Sequence, residues 1–215
     1  MTYLEIVNNI LRRLRERTVS AVNENSYSAL IGVLVNDAKE EVENAWQWSG
    51  LRTTLSATTV ADTFNYELNG SRNRLTVLDV VNDTSNFFME YKTAHEFNDL
   101  FLNGTPETAE PRYYSFNGIS SDGDTQVDLY PIPDGAYNLR FNVVLRTVDL
   151  TENSSTLLIP AQPVLQLAYA KAVEERGEDG GASGLSAYNT ASRVLSDAIA
   201  LDAAKHPEET IWYTV

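Results

Sequence analysis

The chain has 215 residues, of which 43% are hydrophobic and 21% are charged, and its formal net charge at pH 7 is −14. This composition is typical of a folded protein and argues against intrinsic disorder. The sequence contains no cysteine, which excludes disulfides, thiolate metal sites and cysteine nucleophiles. The negative charge disfavours tight binding to nucleic-acid phosphates, although it suits the lining of a passage through which DNA slides.

The N-terminus does not have the pattern of a secretory signal peptide. Its apolar residues are interrupted by Glu5 and Asn8, and Arg12 and Arg13 follow them instead of preceding them. No apolar run approaches the roughly 20 residues that span a bilayer. We therefore expect synthesis in a reducing cytosol and no contact with a membrane.

Two amphipathic helices are predicted at the N-terminal end. Thr2 and Glu5 are spaced as a capping box, and apolar residues then recur at helical spacing to Leu14. From Tyr27 to Trp46, apolar residues again recur at steps of three and four, and Gly50 is expected to end this helix. The opposite, polar face of the second helix carries Asp37, Lys39, Glu40 and Glu43.

The hydrophobic period changes to two residues at Leu51, which predicts a change from helix to strand. Strands are expected at 51–59, 64–68, 74–81, 87–91, 112–116, 126–130 and 137–146. The clearest is the last, because Leu139, Phe141 and Val143 alternate with polar residues. Thr93 and Glu96 are spaced as a second capping box, which predicts a short helix at 93–102.

The last third of the chain returns to helical spacing. One helix is predicted from Ala161 to about Gly177, and a second ends at about His206, ahead of Pro207. The expected apolar face of the second helix consists of Leu185, Tyr188, Ala191, Leu195, Ala198 and Ile199.

This order predicts an α+β fold. The terminal segments 1–50 and 160–206 are expected to form a helical bundle, into which residues 51–159 insert as an antiparallel β-sheet or β-sandwich domain. The last segment, 207–215, is expected to form an extended docking tail.

No catalytic or cofactor-binding motif is recognisable in the sequence. The two histidines, His95 and His206, are far apart and are interpreted as structural or surface residues. The acidic run formed by Glu174, Glu175, Glu178 and Asp179 is expected to face water.

A second acidic cluster begins like a calcium-binding loop. It contains Asp122, Asp124 and Asp128, but Val127 stands where such a loop requires glycine. Gly123 after Asp122 favours a hairpin turn between two strands, with weak calcium binding as the alternative.

The tail contains four apolar residues, Ile211, Trp212, Tyr213 and Val215, in a segment too short to form a domain. A free tail of this composition would expose an adhesive apolar surface. Either the tail folds back on its own core, or it docks extended into another chain by strand addition. The residues alone leave both alternatives open.

The segment Leu34–Arg52 combines a long acidic helix, the tryptophans Trp46 and Trp48, and a strand that begins Leu-Arg-Thr-Thr. Together with Arg74–Val80 and the order of helices, strands, helices and short tail, it resembles the head-to-tail adaptor proteins of short-tailed bacteriophages. This connector family is also called tail tubular protein A-like. The resemblance extends over essentially the whole chain.

The resemblance implies a structural virion protein of the neck, assembled in the host cytoplasm, and not an enzyme. Its copies, twelve by the habit of the family, would form a ring between the portal protein and the tail nozzle protein. DNA would pass through the ring during packaging and ejection. The C-terminal tail would reach the portal through Ile211, Trp212, Tyr213 and Val215.

Two other classes of protein remain as alternatives. The first is a carbohydrate- or ligand-binding β-module of a phage tail component, with Tyr113, Tyr114 or Tyr130 as contacts. The second is an enzyme with a cleft built from carboxylates, either the three aspartates of the hairpin or the acidic run after residue 173.

Overall fold

The computed structural model of the chain describes residues 1–102, 104–177 and 182–206. In chain order its elements are α1 (Tyr3–Arg13), α2 (Ser26–Ala45), a 3₁₀ turn (Ser49–Leu51), β1 (Arg52–Thr58), β2 (Asn65–Leu68), β3 (Leu75–Asn82), β4 (Phe87–Phe88), β5 (Glu90–Tyr91), α3 (Ala94–Leu102), β6 (Tyr113–Ile119), β7 (Thr125–Tyr130), β8 (Asn138–Leu145), α4 (Ala161–Arg176) and α5 (Ala182–Ala203). The predicted α+β class, with helices at both ends and strands between them, is confirmed.

The chain divides into two compact units. A helical unit comprises Met1–Leu51 and Arg146–Val215, and a β unit comprises Arg52–Leu145. The sequence had indicated an insertion from 51 to 159, but residues 146–159 lie with the helices. The physical reason is a set of polar contacts between these residues and α2, described below.

The helical unit is formed by α1, α2, α4 and α5. The predicted capping box of α1 is present, since the hydroxyl of Thr2 accepts the Glu5 N–H at 3.2 Å and the Glu5 carboxylate accepts the Thr2 N–H at 2.9 Å. Helix α2 begins slightly earlier than predicted, because Asn25 caps it by accepting the Ser28 N–H at 2.8 Å. The fully buried core residues of α1, α2 and α4 include Ile6, Ile10, Val35, Ala38, Val164 and Leu165.

The C-terminal helices differ in burial. Helix α4 ends at Gly177, as predicted, because this glycine adopts a left-handed conformation with φ 61°. Helix α5 ends at Ala203, earlier than the expected His206. Along the expected apolar face of α5, Leu185 is 67% exposed, whereas Ala191 is buried.

The β unit is a sandwich of two four-stranded sheets, with strand orders β1-β8-β3-β4 and β2-β7-β6-β5. Its core joins residues of both sheets, among them Leu68, Val80, Val127, Leu129, Leu139, Phe141 and Val143. The alternation predicted for β8 is therefore confirmed.

The segment 87–91, expected as one strand, is divided at Met89 into the two short strands β4 and β5. Met89 is buried, and its N–H donates to the Val80 carbonyl at 2.8 Å. On either side of it the chain joins different sheets: β4 pairs antiparallel with β3, whereas β5 pairs parallel with β6. The apolar run is thus a crossover between the two layers.

Candidate assembly surfaces

A buried ion pair holds the segment after β8 on helix α2. Lys39 and Glu43 are 2% and 3% exposed at their side chains, and Lys39 Nζ lies 3.4 Å from Glu43 Oε1. Thr147 completes the arrangement. Its carbonyl accepts from Lys39 Nζ at 3.1 Å, and its N–H and hydroxyl donate to the Glu43 carboxylate at 3.1 and 2.6 Å. Each charge therefore has hydrogen-bond partners, as burial requires.

Asn36, on the same side of α2 as Lys39 and Glu43, forms a further pair of hydrogen bonds, with Leu150. Its amide donates to the Leu150 carbonyl at 3.1 Å and accepts the Leu150 N–H at 2.9 Å. The sequence placed Lys39 and Glu43 on the polar face together with Asp37 and Glu40, and only the latter two are exposed. The sequence pattern that could have indicated this buried polar face is the spacing of Asn36, Lys39 and Glu43, because residues three and four apart lie on one side of a helix.

The tryptophan pair that follows α2 is divided between core and surface. Trp46 adopts an extended conformation that ends α2 well before Gly50, and it is 38% exposed. Trp48 is 1% exposed, and its indole Nε1–H donates to the Val42 carbonyl at 2.6 Å. This hydrogen bond satisfies the buried indole and covers the end of the helix.

Ser49, which follows Trp48, connects the segment after α2 to the end of α5. The carboxylate of Asp202 is buried and accepts the Ser49 N–H at 2.8 Å and the Ser49 hydroxyl at 2.5 Å. Lys205 Nζ lies 2.9 Å from the same carboxylate. Burial alone would raise the pKa of Asp202, but the hydrogen bonds from Ser49 and Lys205 outweigh it and lower the pKa. The next residue, Gly50, is so close to the Leu158 carbonyl that a Cβ there would lie 2.3 Å from the oxygen.

Replacing Asp202 with asparagine is expected to lower the free energy of unfolding by about 1–2 kcal/mol at pH 7, because charge-assisted hydrogen bonds are lost. A carboxylate whose pKa is lowered by folding stabilises the protein above its unfolded pKa, near 3.9, and this contribution is lost as the pH falls through the folded pKa. Urea unfolding of both proteins should therefore give a difference that is full at pH 6–7 and shrinks in acid.

The matched control is Asp197→Asn, a change on the exposed face of the same helix. It should alter the free energy of unfolding by less than about 0.5 kcal/mol at any pH. An Asp202→Asn difference that stayed constant down to about pH 2.5, below the unfolded pKa, would contradict the assigned hydrogen bonds.

A cleft of about 380 Å³ lies between α2, α4 and α5 and is lined by Val42, Pro163, Leu167, Tyr188 and Leu195, among others. Tyr188 donates its hydroxyl to Glu174 at 2.6 Å, and burial together with this carboxylate raises the pKa of Tyr188 to about 12. Glu174 is thus hydrogen-bonded to α5, and both Glu174 and Glu175 are exposed, as expected for the acidic run. Glu178 and Asp179 lie outside the described residues.

Two residues of the aspartate cluster, Asp122 and Asp124, lie in the predicted hairpin turn between β6 and β7, and Asp128 lies within β7. Asp124 accepts the backbone N–H groups of Arg72 at 2.7 Å and Gly70 at 2.9 Å, and these bonds lower the pKa of Asp124. Asp128 accepts from the amide of Asn65 at 2.6 Å. Across residues 1–102, 104–177 and 182–206, no group of three or more acidic or histidine side chains is arranged to hold a metal ion.

The tyrosines considered as ligand contacts are largely inaccessible. Tyr114 is 7% exposed and belongs to the core of the sandwich, and Tyr130 is 8% exposed and packs against Phe97 and Phe101 of α3. Tyr113 is half-buried, with Lys92 Nζ 4.9 Å from its ring centroid. The histidines also stand apart: His95 is exposed, 3.8 Å from Asp99, and His206 is half-buried where α5 ends.

The β unit exposes several large apolar side chains. Phe88 is 74% exposed, Leu102 79% and Tyr91 52%. Each lies on a short edge strand or at the end of α3, so it can contribute to contacts with other chains. The predicted tail residues Ile211, Trp212, Tyr213 and Val215 lie outside the described residues. In the part of the chain that is described, no helix is long and apolar enough to cross a membrane.

No curated protein matches the chain. A family model does: the model described as SU10 adaptor protein matches residues 1–207, which include Trp46 and Trp48, the buried ion pair and the whole β unit. The four apolar tail residues lie beyond the matched span. The chain therefore belongs to the SU10 adaptor protein family, a phage adaptor family of structural proteins.

Proposed function

We propose that the chain is a head-to-tail adaptor subunit of the virion neck. About twelve copies would form a closed ring that joins the portal protein to the tail nozzle protein, and DNA would pass through it during packaging and ejection. The observation that carries the proposal is the family match over residues 1–207. Assembly in the host cytoplasm is part of the same proposal.

The charge of the chain supports a conduit for DNA. With a net charge of −14, a ring of many copies would repel the phosphate backbone and keep the DNA mobile. An attractive lining would instead retain the genome by releasing its counterions.

The apolar tail supports docking into a partner. Ile211, Trp212, Tyr213 and Val215 have the β-prone character of segments that add as strands or fill apolar grooves. We assign the portal as the partner of this tail. The rival function is a carbohydrate-binding β-module. Two of its three proposed contact residues, Tyr114 and Tyr130, are buried, so Tyr113 is the remaining candidate among the three.

The experiment that tests the proposal combines the purified chain with portal rings from the same phage and measures sedimentation over a concentration series. We expect saturable loading of several copies on each portal ring. A chain that stays monomeric beside the portal, and instead saturates with an oligosaccharide through Tyr113, would support the rival.

A further inference from the structure

Positive charge is concentrated in one exposed turn of the helical unit. Arg12, Arg13, Arg15 and Arg17, here called the arginine turn, lie where α1 ends, and all four are exposed. They are four of only 16 Lys and Arg residues in the whole chain, against 30 Asp and Glu residues. On a strongly acidic subunit this turn is the surface best suited to an acidic partner.

Local structure accounts for only part of this cluster. Arg12 and Arg13 occupy the last turn of α1, where a positive charge complements the helix dipole. Arg13 also donates to the Gln166 side chain at 3.0 Å. Arg15, however, has φ 60°, a left-handed conformation in which glycine or asparagine is less strained. A strained position that carries a long cationic side chain points to a role for that side chain.

The neighbouring carboxylates offset the charge of the turn only in part: the pKa of Glu24 is lowered mainly by hydrogen bonds from Ser20 and to a lesser degree by the charge of Arg17. Glu16 forms its ion pair with Arg176, and Glu24 accepts the hydroxyl of Ser20 at 2.7 Å. Within the described ranges, no carboxylate forms an ion pair with Arg12, Arg15 or Arg17.

A complementary surface lies on α2. Asp37 and Glu40 are exposed and three residues apart, so their carboxylates share one face of the helix. Glu41 beside them is paired with Lys171, whereas neither Asp37 nor Glu40 forms an ion pair with any cation that the structure describes.

The two surfaces are separated within the helical unit. Arg176 donates to the Leu14 carbonyl and to the Tyr27 hydroxyl, which fixes the arginine turn near the first turn of α2. Asp37 lies ten residues further along this helix, or about 15 Å at about 1.5 Å per residue. Two different patches of one subunit that fit each other make a head-to-tail contact, which closes into a ring when repeated by rotation.

We propose that the arginine turn of one subunit binds the Asp37–Glu40 face of α2 on a second copy of this chain. This inference rests on the proposed ring function and names one contact between neighbouring subunits. Its energy comes from pairs of opposite charge at an interface, which set register and partner choice.

Charge reversal of the full-length chain tests the contact. Variant one carries Arg15→Glu and Arg17→Glu, variant two carries Asp37→Arg and Glu40→Arg, and variant three carries all four changes. Loading on portal rings, counted as subunits per ring by mass photometry, should require about tenfold more protein for variants one and two. Variant three should return to within about threefold of the wild type. Because variants one and two change the net charge in opposite directions, a general charge effect cannot weaken both.

Two controls show that the effect belongs to this contact and to its charges. Arg193→Glu, at an exposed position of α5, should load like the wild type, and all variants should keep the wild-type unfolding midpoint because the altered side chains are exposed. Raising NaCl from about 50 to about 300 mM should weaken loading of the wild type and of variant three alike.

The inference is overturned if variants one and two load normally, or if variant three does not recover. It is also overturned if variant one loses only a mobility shift of double-stranded DNA, which would make DNA the partner of the turn. A wild-type chain that does not load on portal rings at all contradicts the proposed function itself, so the two failures are distinguishable.

Discussion

Replacing Glu43 with alanine is expected to lower the free energy of unfolding by about 3–5 kcal/mol, because it leaves the buried ammonium of Lys39 without its counter-charge. The change also removes the acceptor of the Thr147 N–H and hydroxyl, which hold residues after β8 on α2. Urea denaturation followed by circular dichroism measures the loss.

The matched control is Glu40→Ala, about one helical turn before it on the exposed side of α2, which should cost less than about 0.5 kcal/mol. The paired replacement Lys39→Met with Glu43→Leu removes both charges and should recover most of the stability lost in Glu43→Ala. A loss below about 1 kcal/mol for Glu43→Ala would contradict the burial of the pair.

Removal of residues 208–215 is expected to leave a folded subunit that no longer joins portal rings, with apparent affinity lowered at least about 100-fold. The reason is the loss of the apolar side chains proposed to dock in the portal: Ile211, Trp212, Tyr213 and Val215. Sedimentation with portal rings measures the affinity, and thermal unfolding measures the fold.

Two results distinguish the alternatives for the tail. Trp212→Ala with Tyr213→Ala should reproduce most of the loss, whereas Glu208→Ala with Glu209→Ala in the same tail should not. If the truncated chain binds portal rings normally but unfolds at a lower temperature, the tail packs on its own subunit and the docking proposal is contradicted.

Much of the fold was predictable from the sequence because its signals are local. The capping boxes at Thr2 and Thr93 and the left-handed Gly177 each depend on residues within one helical turn. The alternation along β8 identified its buried face in the same way. These features need no knowledge of what the chain packs against.

The features that the sequence did not predict depend on distant partners. Ser49 and Asp202 are 153 residues apart in the sequence, and Glu43 and Thr147 are 104 apart. A charged residue such as Lys39 is predicted to be exposed to solvent unless its partner is known, because burial of an unpaired charge costs much free energy. Met89 was similarly ambiguous, because a continuous apolar run does not tell one strand from a crossover between two sheets.

The same limit applies to the assembly surfaces. The resemblance in Leu34–Arg52 identified an adaptor, and the family match bears out that class of protein. Two residues of that segment, however, make contacts within the subunit: Trp48 hydrogen-bonds to Val42, and Ser49 hydrogen-bonds to Asp202. The tryptophan part of this signature is therefore a folding signature, whereas the contacts between chains are proposed for the exposed Asp37 and Glu40 of the same helix, the arginine turn and the tail.

The most direct test of the central claim is electron cryo-microscopy of the purified chain assembled on the portal of its own phage, at a resolution that counts subunits. We expect a closed ring of about twelve copies, coaxial with the portal, with an acidic lumen wide enough for duplex DNA. Portal rings that remain bare at saturating concentrations, or that carry isolated copies away from the axis, would contradict the assignment of this chain as the ring that joins head to tail.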